Sequence, residues 1–393
     1  SIATAAFADT YDLNKGSVTV ETKDDGITYV TQENTEINDH PDDTGVTITS
    51  YGKQTENTIT VDTAKDQTTD VTLQDVHIET ERSWDNSGSA PIEIKGDGDT
   101  NLELNGNNTV LSGSSKHAGI EKADVNGTGT LTIKDDLNDN GKEKSGTDAT
   151  GTLVAGGCYS GAGIGGGGYH DGKSYNDTSN ITITGGDITA SGGTHAAGIG
   201  GGDGGTCKNI RIEGDAHVTA YAYDSGAIGS GYEPSGDSDI TITDHATVEA
   251  ASVEGSGIGQ GINASGKATI TISGHASVHA ETFDYRAAIG SGSSSATVNI
   301  EDHADVTAVS TGIAIGTGYG HDSDEYQEGT STVINITGGT VNAVTRGKES
   351  KPAIGTVKGN LDVTINSSTG KTTVNTYTTG SDPLSLNIGT GHY

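Results

Sequence analysis

The chain is organised by one phrase of about 30 residues that repeats along most of its length. Each phrase holds an isoleucine beside glycine, then an I-x-I pair, then a V-x-A pair, as in Ile199, Ile210–Ile212 and Val218–Ala220. A fixed period of this size is typical of solenoids, because one repeat cannot bury its own apolar face and must stack on its neighbours. Strands stacked about 4.8 Å apart would pair with their copies above and below. We therefore predict an all-β, single-stranded, right-handed parallel β-helix with three short strands per coil.

The composition fits a narrow cylinder. Only 30% of the residues are hydrophobic and 4% are aromatic, which suits a thin core filled by isoleucine and valine. The chain has 61 glycines, and pairs such as Gly185–Gly186 and Gly338–Gly339 are expected at corners that need positive φ. Helical periodicity is absent, so we expect almost no α-helix.

The regularity of the repeat divides the chain into four parts. Residues 161–393 are predicted to form regular glycine-rich coils, and residues 51–160 less regular coils of the same helix. Residues 9–50 are interpreted as an N-terminal cap or irregular first coils, with a separate N-terminal β-domain as the alternative. Residues 1–8 resemble the end of a signal peptide with an A-x-A cleavage site, or else form a short leader.

Charge and hydropathy limit the environment and the partners. The net charge of −33 argues against nucleic acid and against unassisted binding of anionic polysaccharides. No run of 18 apolar residues is present, so no membrane insertion is expected. We predict a secreted or cell-wall-attached, extracellular and monomeric protein. Cys158 and Cys207 do not occupy equivalent repeat positions, and the sequence leaves open whether they form a disulfide.

A candidate calcium loop begins at Asp136. The run from Asp136 through Asn138 and Asn140 to Gly141 matches the opening of a calcium-binding loop, in which alternate oxygens point inward. Thr147 stands where the usual bidentate carboxylate would be, and Asp148 follows it. We predict a calcium site formed by Asp136, Asn138, Asn140 and Asp148, with a solvated polar turn as the alternative.

A second pattern appears when the coils are aligned. Four residues take the same turn position on successive coils: Asp215, His245, His275 and His303. Histidines stacked about 5 Å apart could bind a transition metal, although a polar ring also simply suits a turn.

Tyrosines provide the main candidate for a binding surface. They are assigned to the loops on both sides of the glycine-flanked isoleucine, on one side of the cylinder, and acidic residues share these loops. The candidate ligand-binding residues are Tyr159, Tyr169, Tyr175, Tyr221, Tyr223, Tyr232, Tyr285, Tyr319, Tyr326, Asp224, Glu233 and Asp284. Aromatic faces beside carboxylates suit sugar rings, and the same mixture suits adaptable protein recognition. The alternative is that these tyrosines only cover the backbone of the loops.

Catalysis is the less favoured interpretation. A β-helix polysaccharide lyase needs a basic residue beside calcium-binding carboxylates, and only Arg211 among four arginines faces out from a strand near an acid. Glycosidases need two opposed carboxyl groups about 5–10 Å apart, for which Asp237 with Asp239 would be one pair. We expect no catalytic residue and treat a calcium-dependent lyase or glycosidase as a lesser alternative.

Parts of the chain resemble known families. The runs Gly161–Gly168, Ile181–Ala190 and Ala196–Gly202 resemble repeats of large surface proteins of Gram-positive gut bacteria. The segments Asp75–Thr80, Pro91–Lys95, Leu102–Asn105 and Ala118–Ile120 resemble the pectate-lyase-like β-helix family that is often called carbohydrate-binding.

The likeness covers roughly residues 45–390. It implies a cell-surface β-helix that binds plant or acidic sugars, or that captures immunoglobulin in a superantigen-like manner. It supplies no lyase base or acid cluster. The expected function is therefore that of a non-enzymatic adhesin whose tyrosine-rich loops bind a glycan or a host protein such as immunoglobulin.

Overall fold

The computed structural model describes residues 9–35, 37–39, 45–85, 87–318, 329–347, 351–379 and 387–390. The chain winds through about ten coils of about 31 residues, and its strands stack into three long sheets. This confirms the all-β parallel β-helix with three strands per coil. Each sheet is named here for the sequence element that it contains: the I-x-I sheet, the V-x-A sheet and the I-G sheet.

The I-x-I sheet has twelve strands, all parallel. They are Asp9–Asp12, Val46–Thr49, Thr68–Gln74, Asp99–Asn105, Leu131–Lys134, Thr178–Ile183, Cys207–Ile212, Ser238–Ile242, Ala268–Ile272, Ala296–Ile300, Ser331–Ile336 and Asn360–Ile365. Isoleucine pairs with isoleucine or valine from coil to coil, as in Ile210 with Ile240.

The V-x-A sheet has eleven parallel strands. They are Gln54–Thr55, His77–Glu79, Asn107–Leu111, Thr152–Gly156, Asp187–Ser191, His217–Ala222, Thr247–Ser252, Ser277–Thr282, Asp305–Ser310, Gly339–Thr345 and Thr372–Thr378. Several strands extend two residues past the V-x-A pair because the next coil continues the pairing.

The I-G sheet has fourteen strands. They are Val18–Thr22, Thr28–Gln32, Ile37–Asp39, Ile59–Thr63, Ile92–Lys95, Ile120–Glu121, Ile164–Gly165, Ile199–Gly200, Ile228–Gly229, Ile258–Gly259, Ile289–Ser291, Ile315–Thr317, Ile354–Thr356 and Ile388–Thr390. The strand Val18–Thr22 pairs in parallel with Ile59–Thr63 and antiparallel with Thr28–Gln32, which pairs antiparallel with Ile37–Asp39. Strands from residues 9–50 therefore join the same sheets as the later coils, and their role as a cap stays a prediction.

Glycine after the inward isoleucine lets the coils stack closely in the I-G sheet. Gly259 has φ +136°, and a Cβ placed on it would lie 1.9 Å from the carbonyl oxygen of Gly290 on the next coil. No side chain fits such a gap. The predicted corner glycines Gly186 and Gly339 also have positive φ, at +90° and +81°. In earlier coils the same ladder position holds Glu93 and Glu121, which pair with each other and then with Gly165.

The few remaining elements are short. The antiparallel hairpin of Tyr169–His170 and Lys173–Ser174 projects from the loop after Ile164–Gly165. Two 3-10 turns, Leu13–Lys15 and Asp124–Asn126, are the helical segments of the described residues, in agreement with the expectation of almost no helix. Within these residues no helix has the length and apolar character needed to cross a membrane.

Candidate functional site

Four rings from separate coils lie in a row beside the I-G sheet: Trp84, Tyr159 and His195 precede its strands, and Tyr232 follows one. Trp84 lies 6.3 Å from Tyr159, Tyr159 lies 4.9 Å from His195, and His195 lies 4.8 Å from Tyr232, measured between ring centroids. Trp84 is 74% exposed and Tyr159 is 41% exposed. We call these four residues the aromatic edge. The rings meet edge-on or tilted, at 65°, 86° and 49°, and His195 and Tyr232 are partly buried.

Backbone pairing between coils holds the aromatic edge in place. The His195 amide donates to the Tyr159 carbonyl at 2.8 Å, and the Tyr232 amide donates to the His195 carbonyl at 3.2 Å. Tyr159 has φ +42°, in the left-handed region that few residues other than glycine adopt. The rings are therefore attached to a rigid ladder, which reduces the entropy lost when a ligand binds.

A buried carboxylate orients the central histidine. Asp224 is 3% exposed, and its Oδ2 lies 2.6 Å from His195 Nδ1. His195 Nε2 lies 3.2 Å from the Tyr159 hydroxyl. Burial raises the pKa of Asp224, against the opposing influence of His195. The Tyr232 hydroxyl is hydrogen-bonded to Glu233, which raises the pKa of Tyr232 to about 12. The aromatic edge thus combines ring faces with fixed hydroxyl and imidazole groups.

A second group lies on the outer face of the I-G sheet, under the projecting hairpin. His117, Glu121 and His170 are all buried, and one ligand atom from each lies within 4.8 Å of the others. We call these three residues the His–Glu cluster. Tyr175 stacks on the His170 ring at 3.8 Å and 12°, and Glu93 holds the ladder position next to Glu121. The cluster therefore joins a long loop to two successive coils.

Burial and charge set the proton affinities of this group. Burial raises the pKa of Glu93, and the charge of Glu121 adds to this effect. Burial opposes protonation of His117, but the hydrogen bond and charge of Glu121 outweigh it and the His117 pKa is raised. Burial and the charge of His117 lower the pKa of His170. One histidine thus favours protonation and the other favours the neutral form.

A third feature is an exposed apolar column at the edge of the V-x-A sheet. The strand pairing continues one residue past Ala222, Ser252 and Thr282, and so aligns Tyr223, Val253 and Phe283 on successive coils. Phe283 is 59% exposed. Tyr221, Val253 and Phe283 line one shallow groove of about 550 Å³. We call Tyr223, Val253 and Phe283 the apolar column.

The candidate calcium loop satisfies much of its own hydrogen bonding. Asn138 Oδ1 accepts from the amides of Asn140 and Lys142, and Asp148 Oδ2 accepts from the Ser145 amide at 2.8 Å. This backbone hydrogen bond lowers the pKa of Asp148. Asn138, Asn140 and Asp148 line a depression of about 160 Å³. Asp136 is instead ion-paired with Lys134 at 3.5 Å. Calcium binding here stays a prediction.

The histidine ladder forms as its spacing predicts. His245 and His275 stack at 5.2 Å, and His275 and His303 stack at 4.8 Å. All three are exposed, as is Asp215 at the same turn position. The two cysteines are free thiols: Cys207 is buried in the I-x-I sheet, and Cys158 is half-buried in the loop before Ile164. A link between them is therefore absent from the structure.

The predicted tyrosines separate into several groups. Tyr159 and Tyr232 belong to the aromatic edge, Tyr175 covers the His–Glu cluster, and Tyr169 is exposed on the hairpin. The assignment of Tyr221 to a loop was wrong, because pairing with Ala251 extends its strand to Ala222. Tyr319 and Tyr326 lie outside the described residues.

The remaining predicted residues adjoin these groups. Asp224 supports His195, and Glu233 accepts from Asn263 at 3.0 Å. Tyr285 is partly exposed, and Asp284 is ion-paired with the buried Arg286.

Sequence reasoning missed five residues that occur once instead of repeating: Trp84, His117, Glu121, His170 and His195. It also missed Val253 and Phe283, which take the same position as Tyr223 on the next two coils. A signal existed for Glu121, because it replaces the glycine of the repeat. The others are brought together by pairing between coils about 30 residues apart, as in the 29-residue separation of His195 and Asp224.

Comparison with known proteins supports the fold. A family model described as a beta helix repeat matches residues 181–203 and 334–358. Each match begins in an I-x-I strand and ends shortly after the next glycine-flanked isoleucine. No curated protein and no solved structure matches the chain.

Proposed function

We propose that the protein is a non-enzymatic extracellular binding protein that holds a neutral glycan on the aromatic edge. The observation that carries the proposal is the contact of the exposed rings of Trp84 and Tyr159 with the partly buried rings of His195 and Tyr232, across four coils. Sugar rings stack their C–H faces on aromatic side chains and use hydroxyl groups for hydrogen bonds. The Tyr159 hydroxyl supplies such a partner, and it is held in position by His195, whose other ring nitrogen is bonded to Asp224.

The charge of the chain favours a neutral glycan over an acidic one. The net charge is −33, and Asp85, Asp203 and Glu233 lie close to the aromatic rings. An anionic polysaccharide would meet repulsion there unless a cation intervened. The resemblance to surface proteins of gut bacteria is consistent with an adhesin that is secreted or attached to a cell wall and acts as a monomer.

A panel of immobilised neutral and acidic oligosaccharides tests this proposal. We expect capture of a neutral glycan, with at least tenfold weaker binding for Trp84→Ala and Tyr159→Ala. Tyr377→Ala removes an exposed tyrosine from the V-x-A sheet far along the chain and serves as the matched control. Equal losses in all three variants, or no capture of any neutral glycan, would contradict the proposal.

Binding is favoured over catalysis by the pairing of the arginine that a lyase would need. Arg211 Nε and Nη2 both donate to Glu213 Oε2, at 3.0 and 2.7 Å, so its charge is engaged beside its own strand. We expect no new reducing ends when the captured glycan is incubated with the protein. Product formation that is lost with a chelator would instead support a calcium-dependent lyase or glycosidase.

Immunoglobulin capture is a second candidate, and the apolar column is the observation that favours it. Exposed apolar side chains on adjacent coils are a feature of protein interaction sites. A stable interface buries about 800 Å² per partner, which would require several coils. We expect Val253→Asp and Phe283→Ser to abolish any antibody binding while glycan capture is unchanged. Antibody binding that persists in both variants would exclude this surface.

A further inference from the structure

We propose that the His–Glu cluster, His117, Glu121 and His170, binds one divalent transition-metal ion, with zinc as the expected ion. One ligand atom from each residue lies within 4.8 Å of the others, so a single ion could reach all three after small adjustments. Two imidazoles and one carboxylate form a ligand set that zinc accepts, and a fourth position stays open in such sites. Calcium and magnesium prefer oxygen ligands and are not expected here.

The surroundings of the cluster already orient its ligands. His170 Nδ1 lies 3.1 Å from the Gly168 carbonyl oxygen, so we assign its proton to Nδ1, which leaves Nε2 to face an ion. Stacking on Tyr175 fixes the plane of the His170 ring. The Ala118 amide donates to Glu121 Oε2 at 3.0 Å. Outer hydrogen bonds such as those from Ala118 and to Gly168 hold metal ligands in position. His117 Nδ1 lies 2.9 Å from Glu121 Oε2, which brings these two ligands together.

Space for the Glu121 carboxylate exists because the facing residue is glycine. A Cβ on Gly167 would lie 2.6 Å from Glu121 Oε2. Glu93 adds a second carboxylate from the neighbouring coil, at the ladder position beside Glu121. A divalent cation beside these two carboxylates would relieve the repulsion between them.

The histidine ladder is the rival transition-metal site, and its geometry is less suitable. Its rings are nearly parallel, at 11° and 2°, so the nitrogen lone pairs run side by side instead of converging. Its members are also exposed to solvent. The ladder nevertheless provides a matched control, because His275→Gln replaces a histidine in a different part of the surface.

Calorimetric titration of chelator-treated protein with zinc alone tests the proposal. We expect one equivalent to bind, with at least tenfold weaker affinity in His170→Gln and Glu121→Gln and unchanged affinity in His275→Gln. His170 lies on the projecting hairpin, so its replacement is not expected to disturb the coils, and far-UV circular dichroism would check this. Cobalt in place of zinc should give the visible absorption of a tetrahedral site, and His170→Gln should remove it.

Three results would overturn the proposal. The first is the absence of zinc binding in the unmodified protein. The second is unchanged affinity in His170→Gln, and the third is a loss in His275→Gln that equals the loss in His170→Gln. The last result would show that the loss of affinity is not specific to the His–Glu cluster.

Discussion

Lys122 is a buried cation in the protein interior, and its replacement by methionine should stabilise the fold. It is 2% exposed, and among the described residues its Nζ has no hydrogen-bond partner. It follows Glu121, so the register places it beside Ile94 on one coil and beside Gly166, which has no side chain, on the next. Lys122→Met keeps a long unbranched side chain at this position and removes the charge.

The magnitude follows from the pKa of the lysine. Burial lowers the pKa of Lys122 from 10.5 to about 8, despite the opposing charge of Asp124. Between pH 8 and pH 10.5 the unfolded chain therefore binds more protons than the folded chain, so the free energy of unfolding rises with pH in this range. One pKa unit corresponds to about 1.4 kcal/mol, so charged Lys122 destabilises the fold by about 3 kcal/mol at pH 7. The destabilisation should fall to about 1.5 kcal/mol at pH 9.5.

Urea unfolding at pH 7 and pH 9.5, followed by far-UV circular dichroism, measures this effect. We expect Lys122→Met to be about 2–3 kcal/mol more stable than the unmodified protein at pH 7, with a smaller difference at pH 9.5. Lys208→Met, which replaces an exposed lysine of the I-x-I sheet, should change stability by less than about 0.5 kcal/mol at both values. A destabilised Lys122→Met, or a gain that does not depend on pH, would refute the reasoning.

Two further predictions concern the glycine ladder and the thiols. Gly259→Ala should destabilise the protein by about 3 kcal/mol or more in the same urea titration, since it combines positive φ with overlap of the next coil. A Cβ at Gly146 would meet no atom within 4 Å, so Gly146→Ala should change stability by less than about 0.5 kcal/mol. Similar losses of stability in Gly259→Ala and Gly146→Ala would contradict the close stacking of glycines in the I-G sheet. Iodoacetamide should modify the half-buried Cys158 in the native protein. It should modify Cys207 only after unfolding, because burial shields this thiol and raises its pKa to about 12. Peptide mass spectrometry measures this, and equal rates would contradict the burial of Cys207.

The fold could be predicted from the sequence because its determinants repeat. Each inward isoleucine pairs with its copy, so Ile181, Ile210 and Ile240 indicate both the strand and its register. The histidine ladder was predictable for the same reason, since equal spacing in sequence becomes adjacency in space. The strand containing Tyr221 was not fully predicted, because its last two residues are set by pairing with the next coil instead of by an apolar pattern.

The candidate sites could not be predicted in the same way, because they interrupt the repeat. His170 reaches His117 through the hairpin in the long loop after Gly165, and no periodicity specifies how such a loop folds back. Trp84 reaches Tyr159 from a less regular coil. Within the His–Glu cluster only Glu121 left a trace in the sequence, as a carboxylate where the regular coils have glycine.

Fluorescence of Trp84 during titration with the captured neutral glycan tests the central claim most directly. The chain has one tryptophan, so its emission reports on the aromatic edge alone. We predict a saturable change in the unmodified protein and in Tyr377→Ala, with at least tenfold weaker binding in Tyr159→Ala. Glycan binding that leaves the Trp84 emission unchanged, or that is equally tight in Tyr159→Ala, would contradict the claim that the aromatic edge is the binding site.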